Sequence, residues 1–269
     1  MASYQYYDDF KLIDKETGIE KRLSDFGGIV YNPDNNAFSR NMLPDPEHIT
    51  DKNENQDGER YVKTVYGTRI IEVPVYFSED LGAGELFELN RWLGKKRQQT
   101  FQWVNDDERK EIDVIYKEGF DMDILFGDKF NGLTTLSFIA HNPYWTIRDE
   151  IPIIFNNVKQ GNEFKVKNKG NTECYPLIEI TPESGNSSIK LEINGLTMTL
   201  SKLDKPIYID CEKERVYEVI NGEKKASLDK FVSNDFCEFP YFKTEVKNKI
   251  KIIQGNIKKI KLNLNTRII

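Results

Sequence analysis

The sequence predicts a mainly β protein in two parts: a β-rich N-terminal domain with one short helix over residues 1–147, then an antiparallel β-sandwich over residues 148–269. Three observations carry that prediction. Short runs of β-branched and aromatic residues recur along the chain, several of them separated by Asn-Gly pairs that favour tight hairpins. One clear stretch, 85–96, has apolar residues at helical spacing. Residues 133–139 read as a strand that stops at Asn142-Pro143, because proline offers no ladder donor and holds the residue before it extended. Tyr144 and Trp145 follow, and beyond them no long helical pattern returns, so the boundary is expected just past Trp145.

Residues 4–31 mix aromatics with charge. Tyr4, Tyr6, Tyr7, Phe10, Leu12 and Ile13 precede Asp14-Lys15-Glu16-Thr17-Gly18, which suits a strand, a turn and a second short strand. Gly27-Gly28 then introduces a short strand at 29–31. Residues 32–60 are expected to be a long polar loop, because Pro33, Pro44 and Pro46 interrupt regular structure. Within it, residues 51–58 have the outline of a calcium loop without its ligands. Counted from Asp51, the sixth residue is Gln56 instead of glycine; counted from Asn53, the twelfth is Thr64 instead of a bidentate glutamate. Residues 61–77 return to strand chemistry, with Pro74 pointing to a sheet edge or bulge.

In the helix, Leu86, Leu89 and Leu93 form one stripe beside Trp92. Gly94 ends it, and Lys95-Lys96-Arg97 are placed to meet the negative end of the helix dipole. Residues 98–104 and 112–116 make a hairpin around Asn105-Asp106-Asp107-Glu108. Residues 120–126 and 133–139 complete the first part, with Asn131-Gly132 expected as a tight turn. In the second part, strands are expected near 164–167, 175–180, 189–193, 197–200, 207–211, 216–220, 249–253 and 257–264, with turns at Asn194-Gly195 and Asn221-Gly222. Many short strands joined by such turns define a sandwich or jelly roll.

Composition excludes several functions. The chain of 269 residues has 38 Lys and Arg against 44 Asp and Glu, a net charge of −6, which argues against nucleic-acid binding. The basic C-terminal segment, with Lys249 and Lys251 alternating with Ile250 and Ile252, is expected to be one solvated sheet face. No run approaches the roughly 18 apolar residues of a membrane span, and Met1-Ala2-Ser3-Tyr4 does not open a signal region. Cys174, Cys211 and Cys237 are too far apart for a zinc knuckle or redox pair and are expected as buried free thiols. His48 and His141 are the only histidines, so no histidine-based metal cluster is expected, and no cofactor. Gly82-Ala83-Gly84 lacks a third glycine and reads as a turn before the helix.

Asp106-Asp107-Glu108 and Asp121-Met122-Asp123 could be read as the catalytic carboxylates of a glycosidase, but a solvated turn and a strand face explain them. The expectation is a protein without enzymatic activity.

The order of motifs resembles a family. Gly67-Thr68-Arg69 leads an aliphatic strand. Trp92-Leu93-Gly94 ends a helix, an aromatic hairpin follows, and Asn142-Pro143-Tyr144-Trp145 closes the first part. Asn168-Lys169-Gly170-Asn171, Tyr175-Pro176-Leu177-Ile178-Glu179-Ile180 and Ile207-Tyr208-Ile209-Asp210-Cys211 then mark the second. This order resembles the distal tail proteins (Dit) of siphophages and phage tail-like particles of Gram-positive bacteria. The resemblance implies an N-terminal domain that builds a ring, typically a hexamer, at the tail tip, and a C-terminal galectin-like sandwich. It implies as partners further copies of the chain, the tail tube protein, a tail-associated hub or lysin and, in some phages, receptor-binding or baseplate proteins. It implies a virion location after synthesis in the host cytoplasm from a phage or prophage genome, and no membrane or nucleic-acid partner. Longer members carry inserted carbohydrate-binding modules, for which 269 residues leave no room.

A ring subunit needs surface that reaches a neighbour. The candidate is the 98–116 hairpin, with Phe101, Trp103, Asn105, Asp106, Asp107 and Tyr116 as interface residues; the alternative is a hairpin that buries Trp103 within its own domain. The competing function is a carbohydrate-binding module for host cell-wall glycans, although 190–219 shows no compact cluster of an aromatic platform with polar side chains.

Overall fold

The structure, a computed structural model, describes residues 9–31, 43–52, 57–106, 109–121, 123–125, 129–233 and 238–269. Two compact units divide it, the first running to Arg148 and the second spanning Asp149–Ile268. Both are built from antiparallel strands, and one α-helix lies among the described residues.

In the first unit the chain begins with β1 (Phe10–Asp14) and β2 (Glu20–Arg22), a 3-10 turn at Leu23–Phe26, and β3 (Gly28–Val30). Next come β4 (Pro46–Asp51), β5 (Arg60–Tyr66), β6 (Arg69–Leu81) and α1 (Ala83–Leu93). β7 (Gln99–Trp103), β8 (Lys110–Tyr116), β9 (Asp123–Leu125), β10 (Lys129–Ala140) and β11 (Trp145–Ile147) complete it. The main sheet runs β2-β1-β7-β8-β10-β6-β3, with β9 on β10 and β11 on β8, while β4 and β5 form a separate two-stranded ribbon.

The strand stop at Asn142-Pro143 is tied down from the neighbouring strand: buried Arg69, at the start of β6 and paired with Ala140, donates from Nε to the Pro143 carbonyl at 2.8 Å. Inward-facing rings make the core. Phe10 stacks on Phe101 at 5.0 Å and on Trp92 at 5.7 Å, and meets Phe138 edge-on at 5.6 Å. The apolar stripe of α1 supplies Leu89, Trp92 and Leu93, all buried, and Glu85 accepts a hydrogen bond from the Gly82 N–H at 2.8 Å, closing the helix start.

Several expectations need correction. Residues 46–51 are not loop: Pro46 opens a strand whose first position tolerates a missing donor, and β4 pairs with β5 from Pro46↔Tyr66 to Asp51↔Arg60. Residues 32–42 and 53–56 of that region lie outside the described residues. Asn131-Gly132 is not a turn but lies inside β10, opposite a bulge whose extra residues belong to β6, and Gly132 takes φ 115°. The helix stops at Leu93, and Lys95 and Arg97 turn away from its end to Asp14 of β1, at 2.7 and 2.6 Å. Pro74 lies where pairing of β3 to β6 ends at Val30↔Val75, and its carbonyl accepts from the Tyr31 N–H at 3.0 Å.

The second unit is a sandwich. One sheet orders β12 (Ile153–Val158), β22 (Ile257–Asn263), β14 (Leu177–Pro182), β17 (Ile207–Asp210), β18 (Arg215–Ile220) and β19 (Glu223–Ala226). The other orders β13 (Glu163–Lys167), β21 (Lys247–Gln254), β15 (Ser188–Ile193), β16 (Leu196–Ser201) and β20 (Phe231–Ser233). Alternate residues of both sheets, among them Ile178, Ile209, Leu262, Leu191, Met198 and Ile252, share one core. In β21 the lysines face solvent and the isoleucines the core, as their alternation requires. Asn194-Gly195 and Asn221-Gly222 adopt positive φ in two-residue hairpin turns, from 52° to 92°. The Asn168-Lys169-Gly170-Asn171 motif turns on buried Asn168, whose Oδ1 accepts from Gly170 N–H at 2.9 Å while Nδ2 donates to the Thr172 carbonyl at 2.8 Å.

Candidate functional site

The 98–116 hairpin forms, as β7 and β8, but its rings point inward. Phe101 is 0% and Trp103 5% exposed, packed on each other at 4.9 Å within the unit's own core. Tyr116 is half-buried against Phe138 at 5.7 Å, and burial pushes its phenol up to about 12. Asp106 shapes the turn: its carboxylate accepts from the Lys110 N–H at 2.7 Å. Asn105 is exposed beside it; Asp107 and Glu108 lie outside the described residues. The rings therefore serve the intradomain alternative, and only the tip keeps exposed polar surface.

The carboxylate groupings do not converge. Asp106 sits in that turn, Asp121 is exposed, and the Asp123 side chain lies outside the described residues. Among the described residues no group of three His, Cys, Asp or Glu side chains could hold a metal ion. Cys174 and Cys211 are buried free thiols; burial raises both, Cys174 to about 12 with help from the Glu150 carboxylate. Cys237 lies outside the described residues.

The second unit has a half-open cleft of about 420 Å³ lined by Asp210, Lys213, Arg215, Tyr217, Lys224 and Leu228. Its one aromatic is not an open platform. Tyr208 stacks on Tyr217 at 5.2 Å and 6°, Lys224 Nζ lies 4.7 Å from the ring centroid, and Tyr217 is 8% exposed.

Sequence reasoning missed two surfaces of the first unit. The first is the β4–β5 ribbon. Every residue of β4 is exposed, as are the first four of β5. Register places Pro46, His48, Thr50, Tyr61, Thr64 and Tyr66 on one face, where the Thr50 hydroxyl donates to the Glu59 carboxylate at 2.6 Å; Glu47, Asp51, Arg60 and Lys63 share the other with Ile49. Tyr61, 61% exposed, and His48 both hydrogen-bond the Thr64 hydroxyl at 2.9 Å. The second is an apolar row. Ile29 pairs with Tyr76 and Tyr76 with Leu133, so β3, β6 and β10 present them side by side, and Tyr31 packs on Tyr76 at 5.8 Å. Their exposures run from 37% to 48%. A signal for the ribbon was present: Asp57-Gly58 before strand-like 60–66 marks a hairpin that needs a strand ahead of it. Nothing in the sequence aligned the row, which depends on pairing between distant strands.

These features define a two-unit, mainly β, antiparallel protein with an aromatic core and outward apolar surface. Its fold is similar to that of the SPP1 Dit protein, a hub adsorption apparatus protein of phages infecting Gram-positive bacteria. The two match with a TM-score of 0.66 and 13% identity over 94% of this chain and 98% of that one. It is also similar to a chain of the phage P2 baseplate in its calcium-activated conformation, at TM-score 0.51 and 8% identity, covering 95% and 97% of the two chains. The strontium-activated baseplate gives the same TM-score at 9% identity. At the level of structure the chain is thus Dit-like, as the order of its sequence motifs implied. No protein-family model matches the sequence, and no curated protein matches it by sequence.

Proposed function

We propose that this protein is a structural component of a phage tail tip: a distal tail protein that forms a ring, six copies in number, and joins the tail tube to the tail-associated hub or lysin and to baseplate or receptor-binding proteins. Residues 1–147 build the ring and residues 148–269 form a galectin-like domain attached to it. The observation that carries this reading is the fold match over 94% of this chain and 98% of a Dit protein, which leaves neither chain with a large unmatched domain. The exposed hairpin tip at Asn105 adds a rim contact between subunits or to a tail partner.

Native mass spectrometry of the purified protein, with immunogold labelling of purified tails, tests the proposal. A six-copy assembly and label at the tail tip are expected. A strict monomer at high concentration that is also absent from purified particles would overturn it. A glycan-binding module is the competing reading: cell-wall pull-down by the chain, lost on Tyr217→Ala and Arg215→Ala, would favour it.

A further inference from the structure

We propose that the outward face of β13 and β21 binds a linear phosphodiester-linked polyol polymer on the bacterial surface. The inference rests on the tail-tip reading above only for where that polymer is met.

Register sets lysine against lysine. Lys165 of β13 stands opposite Lys249 of β21, and Lys167 stands opposite Lys247. Directly opposed like charges weaken an antiparallel pair, so folding alone does not favour this arrangement. All four side chains are exposed. Lys249 reaches the Glu163 carboxylate at 3.3 Å, but Lys165, Lys167 and Lys247 have no carboxylate partner among the described residues. Lys251 is next along β21, flanked in register by Glu163 and Glu192, and Lys190 adds a further cation on β15. The charge of the chain is divided in the same sense. Residues 149–269 hold 20 Lys and Arg against 17 Asp and Glu, whereas residues 1–148 hold 18 against 27. The net negative charge of the whole protein opposes a polyanion, and screening over about 8 Å at physiological salt leaves the lysine face to act locally.

The chemistry of the face selects the occupant. Its four central cations lie about 5 Å apart across the strands and about 7 Å apart along them. A flexible chain with one anion in every repeat can lay successive charges along that lattice. The outward positions of β13, β15 and β21 carry no ring, so neither a neutral sugar nor a nucleobase finds a surface to stack on. They carry no arginine either. Arginine is the side chain that grips a fixed carboxylate with two parallel hydrogen bonds, whereas lysine acts as a point charge on a flexible stem. Lysines alone therefore suit the diffuse charge of a phosphodiester better than the carboxylates of a protein surface.

The test measures binding of the full-length chain to poly(glycerol phosphate) by titration calorimetry, with the assembly state held constant by light scattering. Binding is expected to weaken by roughly fiftyfold between 50 and 200 mM salt, as release of counterions by about four contacts requires. Lys165→Glu with Lys247→Glu places each new carboxylate opposite a remaining lysine. This variant is expected to melt at or above the parent temperature while losing at least tenfold in affinity. If it fails to fold, Lys165→Gln with Lys247→Gln carries the test, with a loss of at least threefold expected. Lys205→Glu with Lys258→Glu makes the same change in net charge at exposed positions leading into or within the other sheet, and is expected to bind within twofold of the parent. Sedimentation with cell walls of a Gram-positive bacterium is expected to carry the protein down, and hydrofluoric acid, which cleaves the phosphodiesters and leaves the peptidoglycan, is expected to abolish it. Absence of binding, or equal binding by the Lys165/Lys247 variants, overturns the inference. Equal loss in the Lys205/Lys258 control overturns the placement on this face. Undiminished binding to stripped walls, or tighter binding of an oligodeoxythymidylate or polyglutamate of equal charge, overturns the occupant. None of these results depends on ring formation, so a failure here leaves the ring reading standing, and a monomeric chain absent from tails removes that reading without altering the binding measured.

Discussion

Lys95 Nζ lies 2.7 Å from Asp14 Oδ2, joining the segment after the helix to the first strand of the sheet. Arg97 reaches the same oxygen at 2.6 Å, and Asp14 Oδ1 accepts from the backbone N–H groups of Glu16 and Thr17 at 3.0 and 3.1 Å. The Lys95 hydrogen bond foremost, then that of Arg97, hold the carboxyl well below the usual carboxylate range.

A depressed folded-state pKa means that the unfolded chain takes up this proton first. The stabilisation is present above the unfolded value of about 3.9 and is lost as pH falls from there toward the folded value. Asp14→Asn is expected to lower Tm at pH 7. The gap between parent and variant is expected to narrow between about pH 4 and pH 2, which circular dichroism melts across that range will read. A constant gap would show that the substitution acts through packing alone.

Phe101 is at the centre of the aromatic core, between Phe10, Trp103 and Phe138. Phe101→Ala is expected to destabilise the protein by about 3–5 kcal/mol, through lost burial and the cavity left behind. Denaturant unfolding measures this, and Asn105→Ala at the exposed tip is the control expected to stay within about 0.5 kcal/mol.

Arg69 is 2% exposed and donates to the Pro143 carbonyl. Arg69→Met keeps much of the buried stem but leaves that carbonyl without this donor. A loss of about 1.5–3 kcal/mol is expected from a charge-assisted bond of this kind. Hydrogen exchange is expected to quicken most in the backbone around Pro143 and the adjoining end of β10.

At Gly28 a methyl group would stand 2.6 Å from Leu23 Cδ1 and 2.8 Å from Phe77 Cε1. Both neighbours are fully buried, so they have little room to yield. Gly28→Ala is expected to cost about 1–3 kcal/mol and, by shifting β3, to displace Ile29 from the apolar row. Thermal melts read the cost.

Burial raises the thiols of Cys174 and Cys211 and closes them to reagent. Maleimide at pH 8 is expected to leave both unlabelled in the native protein and to modify both in denaturant, as peptide mapping will show. Native labelling of either would contradict the packing described for the sandwich.

The sequence by itself determined what depends on near neighbours. Alternation of Lys and Ile in 249–252 sets which side of β21 meets water; Asn-Gly pairs at 194–195 and 221–222 turn the chain; the leucine spacing of 86–93 forms the helix. Each signal acts within a few residues, and together they mark a mainly β chain with one helix. Tertiary structure alone decided which surfaces are spent and which remain. The same two-residue signal that turns the chain at Asn194-Gly195 stays inside a strand at Asn131-Gly132, because β6 pairs on both sides of it. Phe101 and Trp103 go to the core because β1 and β8 flank β7. Ile29, Tyr76 and Leu133, 47 and 57 positions apart as the chain passes from β3 to β6 to β10, become one row only through register. Local propensity cannot encode such pairings, since the free energy that selects them comes from contacts between segments far apart in the chain.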